Sequence, residues 1–152
     1  AIEKAANFGN PKAIHFPRVN MGENGFDFSF SGVKTAVLNY IHNLQQKGIE
    51  PPVHDIAASF QEAVVDVLSQ HLVDCAKQCG TNRIALAGGV AANTPLRKRL
   101  EGMAAQARME FQVPRMELCT DNAAMIGCAA YFEYQKGVLA DMSLNAVANL
   151  LL

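Results

Sequence analysis

The residues able to do chemistry gather at places where the pattern passes from a strand or loop into a helix. The first is Leu86-Ala87-Gly88-Gly89-Val90-Ala91-Ala92-Asn93. Paired glycines after a buried strand let a ligand approach the backbone closely, and the helix start that follows offers unpaired N–H groups. A tight turn packing helix on sheet is the plainer reading of Gly88 and Gly89, and no fuller phosphate-loop signature accompanies them. Asn93 is placed either to reach a polar ligand across the turn or to cap the helix behind it. The second place is Glu117-Leu118-Cys119-Thr120-Asp121-Asn122. Its Asp121 stands at a loop-to-helix junction, where a carboxylate either caps the helix or holds a divalent metal. The third is Phe30-Ser31-Gly32-Val33-Lys34-Thr35, whose Lys34 either meets a phosphate or stays a solvated lysine. Arg97-Lys98-Arg99 is the one basic cluster. On a helix its members fan out, which points to a solvated face and leaves room for a weak RNA contact.

Other reactive side chains are scattered. Cys75, Cys79, Cys119 and Cys128 contain no CxxC pair, and His15, His42, His54 and His71 contain no HxxxH or HExxH. Reduced thiols in a cytoplasmic protein are expected, and no histidine-rich metal site can be built from this chain alone.

The elements that must position these residues alternate between the two periods. Residues 1–8 end a helix that Gly9-Asn10-Pro11 breaks, and a loop runs to Gly25. Phe26-Asp27-Phe28-Ser29-Phe30-Ser31 alternates as a strand. Val33, Val37, Ile41 and Leu44 then stripe a helix ended by Gly48 and Pro51-Pro52. The strongest helix runs from Asp55, its expected N-cap, to Cys79, with Gly80 as C-cap. Ile56, Phe60, Val64, Val67, Leu68, His71 and Cys75 lie along one side of it, His71 as a core histidine. Arg83 to Ala87 suits a buried parallel strand. A helix follows, capped by Asn93 or Thr94, with Pro95 in its first turn and Leu96, Leu100 and Met103 inward. Met109, Phe111 and Val113 alternate as another strand, which Pro114 stops. Thr120 or Asp121 opens a last helix that turns Met125, Cys128, Ala129 and Phe132 inward and ends at Gly137. The apolar tail to Leu152 is expected to pack on a neighbouring lobe. This order predicts one α/β domain with a mixed or partly parallel sheet flanked by helices.

Composition narrows the functional classes. The 152 residues are 50% hydrophobic and 18% charged, enough for a core and too apolar for disorder. A net charge of −1 excludes a protein that holds nucleic acid by overall charge, though not one using a local patch. No apolar run approaches the roughly 18 residues of a membrane helix, so no membrane partner is expected. Ala1-Ile2-Glu3-Lys4 has neither an initiator Met nor a signal-peptide pattern, and the chain is expected to start partway through a longer gene product.

Four stretches occurring in order are more specific than any one of them: Phe26 to Thr35, Asp55-Ile56-Ala57-Ala58-Ser59-Phe60-Gln61, Ala87-Gly88-Gly89-Val90-Ala91-Ala92-Asn93, and Cys119-Thr120-Asp121-Asn122-Ala123-Ala124-Met125. In these the sequence closely resembles the C-terminal half of the bacterial tRNA threonylcarbamoyladenosine transferases, the TsaD or Gcp family, once described as O-sialoglycoprotein endopeptidases. The resemblance implies the C-terminal lobe of an actin-like ATPase (ribonuclease H-like) fold, with a ligand cleft between two lobes. It implies transfer of a threonylcarbamoyl group from threonylcarbamoyl-AMP to N6 of adenosine 37 in tRNAs reading ANN codons, with release of AMP. It implies a divalent metal, iron or zinc, on two histidines of an HxxxH motif and one aspartate. Matched to the family's motifs, Asp121 is the metal-ligand position and Asn93 an adenylate contact. Gly88 and Gly89 are the glycines against which the nucleotide lies. The implied partners are tRNA, threonylcarbamoyl-AMP, a paralogous dimerisation subunit and a small ATPase.

The departures carry information too. The HxxxH motif, the phosphate-cradling loop and the first lobe of the family do not occur in these 152 residues. The chain is therefore expected to be a single fragment, residues 1–152, inactive and weakly metal-binding alone, with no general base named by its sequence. An exposed inter-lobe face would favour self-association. The alternatives are a non-catalytic paralogous subunit, which would be expected to lose Asn93 and Asp121, and another actin-like carbamoyltransferase or kinase. A metallopeptidase ranks last because no HExxH is present.

Overall fold

The computed structural model describes residues 1–18 and 29–147. Its long axis is a helix, α3 (Val53–Gln78), of 26 residues, about 39 Å at 1.5 Å per residue. Before it come α1 (Ile2–Ala6) and α2 (Ser31–Gln46). After it follow β1 (Arg83–Ala85), a 3₁₀ turn (Gly89–Ala92), α4 (Thr94–Ala107), β2 (Glu110–Gln112), a second 3₁₀ turn (Met116–Leu118) and α5 (Ala123–Gln135).

Burial along α3 is wider than a single stripe. Ile56, Ala58, Ala63, Val65, Val67, Val73 and Ala76 are all buried, as are Ser59, Ser69 and His71. The helix is clad on more than one side because two cores meet on it. In one, Val65, Val73 and Ala76 pack with Ile84 of β1 and Leu96, Leu100 and Ala104 of α4. In the other, Ile56 and Ala63 pack with Phe16 and Val33. Each large aliphatic side chain so removed from water contributes about 1.5–3 kcal/mol. The two buried serines are satisfied. Ser69 Oγ donates to the Val65 carbonyl at 2.7 Å, while Ser59 Oγ donates to Asn10 O at 3.2 Å and accepts from Ile14 N–H at 3.1 Å.

The sheet is α/β in kind but short. β1 and β2 are parallel, in register Arg83 to Glu110, Ile84 to Phe111 and Ala85 to Gln112. Helix α4 is the crossover between them, as parallel strands require. Each strand is shorter than the sequence pattern predicts, β1 stopping at Ala85 and β2 at Gln112. Leu86 N–H still reaches Gln112 O at 2.9 Å, the last backbone hydrogen bond between the two segments among the described residues. Both strands therefore point the Gly88 turn and the Cys119–Asn122 turn out of one end of the sheet, the end where α/β folds bind ligands.

Several expectations change. Helix α3 begins at Val53 with Pro52 as its cap residue, so Asp55 is not the N-cap. Its carboxylate accepts the Asn10 N–H at 2.8 Å instead, pinning the segment after α1. The start of the expected 26–31 strand lies outside the described residues, and Ser31 already belongs to α2. Helix α5 buries none of its residues, so Met125, Cys128, Ala129 and Phe132 do not face a core among the described residues. Tyr131, Phe132 and Tyr134 are each more than half exposed. Gly80 does end α3, in a left-handed conformation that lets Thr81 N–H bond back to Ala76 O at 3.0 Å. Helix α4 ends the same way on Arg108, the one described residue other than glycine with positive φ, at 54°.

Gly9 marks the tightest approach in the chain. A Cβ there would stand 2.0 Å from the His54 carbonyl oxygen, so the end of α1 touches the start of α3 backbone to backbone. No described helix is long and apolar enough to cross a membrane.

Candidate functional site

Gly88 and Gly89 are glycines for different reasons. Gly88 sits at φ 82° and ψ −179°, a region almost closed to residues with a Cβ. Gly89 has no positive φ, and a Cβ on it would meet nothing within 4 Å. Neither backbone geometry nor packing against the sheet requires glycine at position 89. The tight turn thus accounts for Gly88 but not for Gly89, above which the surface is open. The 3₁₀ turn that follows is closed by Ala91 N–H to Gly88 O and Asn93 N–H to Val90 O, both 3.0 Å. It leaves the N–H groups of Gly89 and Val90 without a partner in their own turn.

Asn93 caps α4. Its Oδ1 accepts from Leu96 N–H at 2.9 Å, and its Nδ2 donates to Gln61 Oε1 of α3 at 3.0 Å. Two bonds in opposite senses fix the amide while leaving one N–H and one lone pair free. Beside it lies a cleft of about 250 Å³ whose lining includes Glu3, Phe60, Gln61, Val90 and Asn93. Glu3 reaches over from α1 to accept the Thr94 N–H at 3.0 Å. Asp55, Ser59 and Gln61 of one motif thus do structural work at its two ends, Asp55 and Ser59 on the loop after α1 and Gln61 on Asn93. Sequence reasoning recorded that motif without assigning these contacts. The i, i+4 and i, i+6 spacing on a helix entering two cores was its only signal.

At the other turn Asn122 is the cap, with Oδ1 accepting Met125 N–H at 2.9 Å and Nδ2 donating to Thr120 O at 2.8 Å. The expectation of Thr120 or Asp121 as cap is corrected, because Asn122 adopts the extended φ that a cap needs. Asp121 is exposed and makes no hydrogen bond or ion pair with another described residue. Its carboxylate is left without the capping role. No group of three His, Cys, Asp or Glu able to hold a metal occurs among the described residues. A lone carboxylate does not make a metal site, so Asp121 can serve only as one donor beside others.

Arg97 joins the two turns. Its Nε donates to Ala91 O in the first 3₁₀ turn, while Nη2 donates to Pro114 O at 2.7 Å and to Cys119 Sγ at 2.9 Å. Arg99 bridges to α3 through Glu62 at 2.7 Å and through Asp66. The hydrogen bond that Arg99 donates to Glu62, joined by the one to Asp66, holds its guanidinium above its usual pKa. The basic cluster is accordingly not a solvated face. Only Lys98 of the three is exposed. Lys34 is exposed at the rim of a separate apolar cleft of about 750 Å³ between α2 and α3, lined in part by Phe30, Ile41 and Phe60. The structure does not bring Lys34 to the Gly88–Asn93 turn. The four cysteines are free thiols, and partial burial, together with neighbouring Cys79, holds the Cys75 thiol above its usual pKa.

Comparison with known proteins gives this geometry a context. A model of the tRNA N6-adenosine threonylcarbamoyltransferase family matches residues 1–128. The chain is 51% identical over 149 residues to a tRNA N6-adenosine threonylcarbamoyltransferase of Moorella thermoacetica, covering 98% of this chain and 44% of that protein. It is 50% identical to the like-named protein of Clostridioides difficile and 49% to that of Clostridium novyi, with the same coverage. The chain thus spans less than half the length of these relatives. With the family model matching most of its residues, the chain belongs to the tRNA N6-adenosine threonylcarbamoyltransferase family.

Proposed function

We propose that this chain forms part of an enzyme that modifies tRNA, transferring a threonylcarbamoyl group from threonylcarbamoyl-AMP to N6 of adenosine 37 in tRNAs reading ANN codons. The carrying observation is family membership over residues 1–128 at about half identity to named transferases. In the transfer, N6 bonds to the carbamoyl carbon and gives up a proton, and the bond from that carbon to the phosphate oxygen breaks to release AMP. Gly88 and Gly89 let the adenylate lie against the backbone, and the free N–H and lone pair of Asn93 suit the polar edge of a nucleotide. Fixing that amide through Gln61 and Leu96 pre-orients it, which is how positioning lowers a two-substrate barrier.

Asp121 is offered as one donor to a divalent metal, iron or zinc. Among the described residues Asp121 has no companions with which to complete a three-donor site, so the other donors would have to come from outside them. The chain is read as the C-terminal lobe of a two-lobe actin-like protein acting in the cytoplasm, with a paralogous subunit and a small ATPase as partners. The exposed apolar residues of α5, Ile126, Tyr131 and Phe132 among them, support a neighbouring lobe. Retention of Asn93 and of an uncommitted Asp121 supports the catalytic reading over a non-catalytic paralogue.

The test is nucleoside analysis of tRNA from the source cells. Depleting the gene product should remove threonylcarbamoyl-adenosine from tRNA hydrolysates. The wild-type gene should restore it, and genes carrying N93A or D121A should not. Modification that persists unchanged after depletion would overturn the assignment.

A further inference from the structure

We propose that Arg97 is a positioning residue that couples the nucleotide turn to the Asp121 turn, holding the two halves of the site in register. The inference rests on the transferase reading for its kinetic consequence, but its structural content stands apart. Arg97 lies on the first turns of α4, directly behind the Asn93 cap, and its planar fork spends three donations on three different stretches of backbone or side chain. One goes to Ala91 O, two residues before Asn93; one goes to Pro114 O, where the chain leaves β2; one goes to Cys119 Sγ, two residues before Asp121. Cys119 is 3% exposed and passes its own S–H to Arg115 O at 3.4 Å, so the thiol is held from both sides.

The acceptors are what set Arg97 apart from the other arginines of this core. Arg18 and Arg99 both end on carboxylates. Arg97 has no carboxylate within ion-pairing distance among the described residues, and its bonds go to two carbonyls and a sulfur. A half-buried guanidinium without a counter-ion is not placed for charge pairing. Its geometry is that of a spacer, five donors in a rigid plane spanning two loops that leave neighbouring strands. Those two loops share no other hydrogen bond among the described residues. Asn93 keeps its own support from Gln61 and Leu96, so loss of Arg97 leaves the nucleotide side standing and frees the Asp121 side to drift. A displacement of about 1 Å between reacting groups is enough to cost on the order of a hundredfold in rate.

The experiment compares the gene product purified from its own cells with its R97M and R97K variants. Deuterium labelling of the backbone amides in the Cys119 peptide, followed by mass spectrometry, reads the tether directly, because the Leu118 and Cys119 N–H groups are bonded within their own turn, at 2.9 and 3.2 Å, and exchange only when it opens. R97M should label at least about tenfold faster than wild type, the factor expected from losing one hydrogen bond to a charged group, and R97K should fall between. Transfer kinetics should show a fall in kcat at nearly unchanged KM for threonylcarbamoyl-AMP, partly recovered in R97K. Unchanged Cys119 labelling in R97M overturns the tether, and a loss carried by KM alone overturns the coupling. If wild-type protein transfers nothing, the transferase reading fails, while the labelling arm still decides the tether. Should R97M fail to fold, R97K carries the same comparison.

Discussion

Alanine at the two adjacent glycines should separate what the fold needs from what a ligand needs. Gly88 lies at φ 82° and ψ −179°, where a Cβ costs about 1–3 kcal/mol. Nothing stands within 4 Å to add a packing penalty, so the cost of Gly88→Ala is backbone strain alone. At Gly89 both charges vanish, since φ is ordinary and the Cβ would point into open space. Gly89→Ala also removes freedom from the unfolded chain, a gain of about 0.4–1 kcal/mol. Urea unfolding followed by circular dichroism measures both. With a slope of about 2 kcal/mol per molar, G88A should lower the midpoint by roughly 0.5–1.5 M, and G89A should leave it level or raise it slightly. Function should run the other way. The methyl of G89A occupies the surface on which the proposed adenylate lies. Its KM for threonylcarbamoyl-AMP should rise at least about tenfold, near 1.4 kcal/mol of lost binding. A G89A protein that is strongly destabilised would refute the geometry. One that is stable and kinetically normal would refute the nucleotide surface.

Other perturbations follow from single contacts. Gly9→Ala drives a methyl to 2.0 Å from the His54 carbonyl; separating α1 from α3 should cost at least about 2 kcal/mol, visible as a Tm drop of roughly 4 °C or more. Arg108→Gly relieves the positive φ of 54° at the end of α4, so the unfolding free energy from urea titration should rise by about 0.5–1 kcal/mol, and a fall would show that the Arg108 side chain matters more than its backbone. Leu100→Ala empties a position 1% exposed and should cost about 2–5 kcal/mol in chemical unfolding, with a loss under 1 kcal/mol arguing that α4 does not pack as described. Arg99→Met removes a guanidinium joined to Glu62 and Asp66 and leaves those carboxylates to repel each other. About a third of that side chain is exposed, so a loss of only about 1 kcal/mol is expected, smaller still in high salt.

Much of this protein was legible in its sequence because the relevant forces are local. The 3.6 period fixed α2, α3 and α4, since an apolar stripe has value only on the side facing a core. Gly80 and Pro95 marked helix ends because their backbone restrictions act within a few residues. The order of the motifs identified the family before any geometry was known. What the sequence misassigned were competitions between nearby residues for one role. Asp55, Thr120 and Asp121 are all good capping types, yet a cap is chosen by which backbone stretch turns extended, and that is set by what the loop must touch. Asp55 was claimed by Asn10, and Asn122 took the cap that left Asp121 uncommitted. Helix α5 forms where expected, but its apolar residues run all round it instead of along one side, so they marked no inward face, and none is buried among the described residues. Arg97 was indistinguishable from Lys98 in the string of residues. Only the fold brings Ala91, Pro114 and Cys119 within reach of one guanidinium, because parallel strands joined by α4 send both turns out of the same end of the sheet.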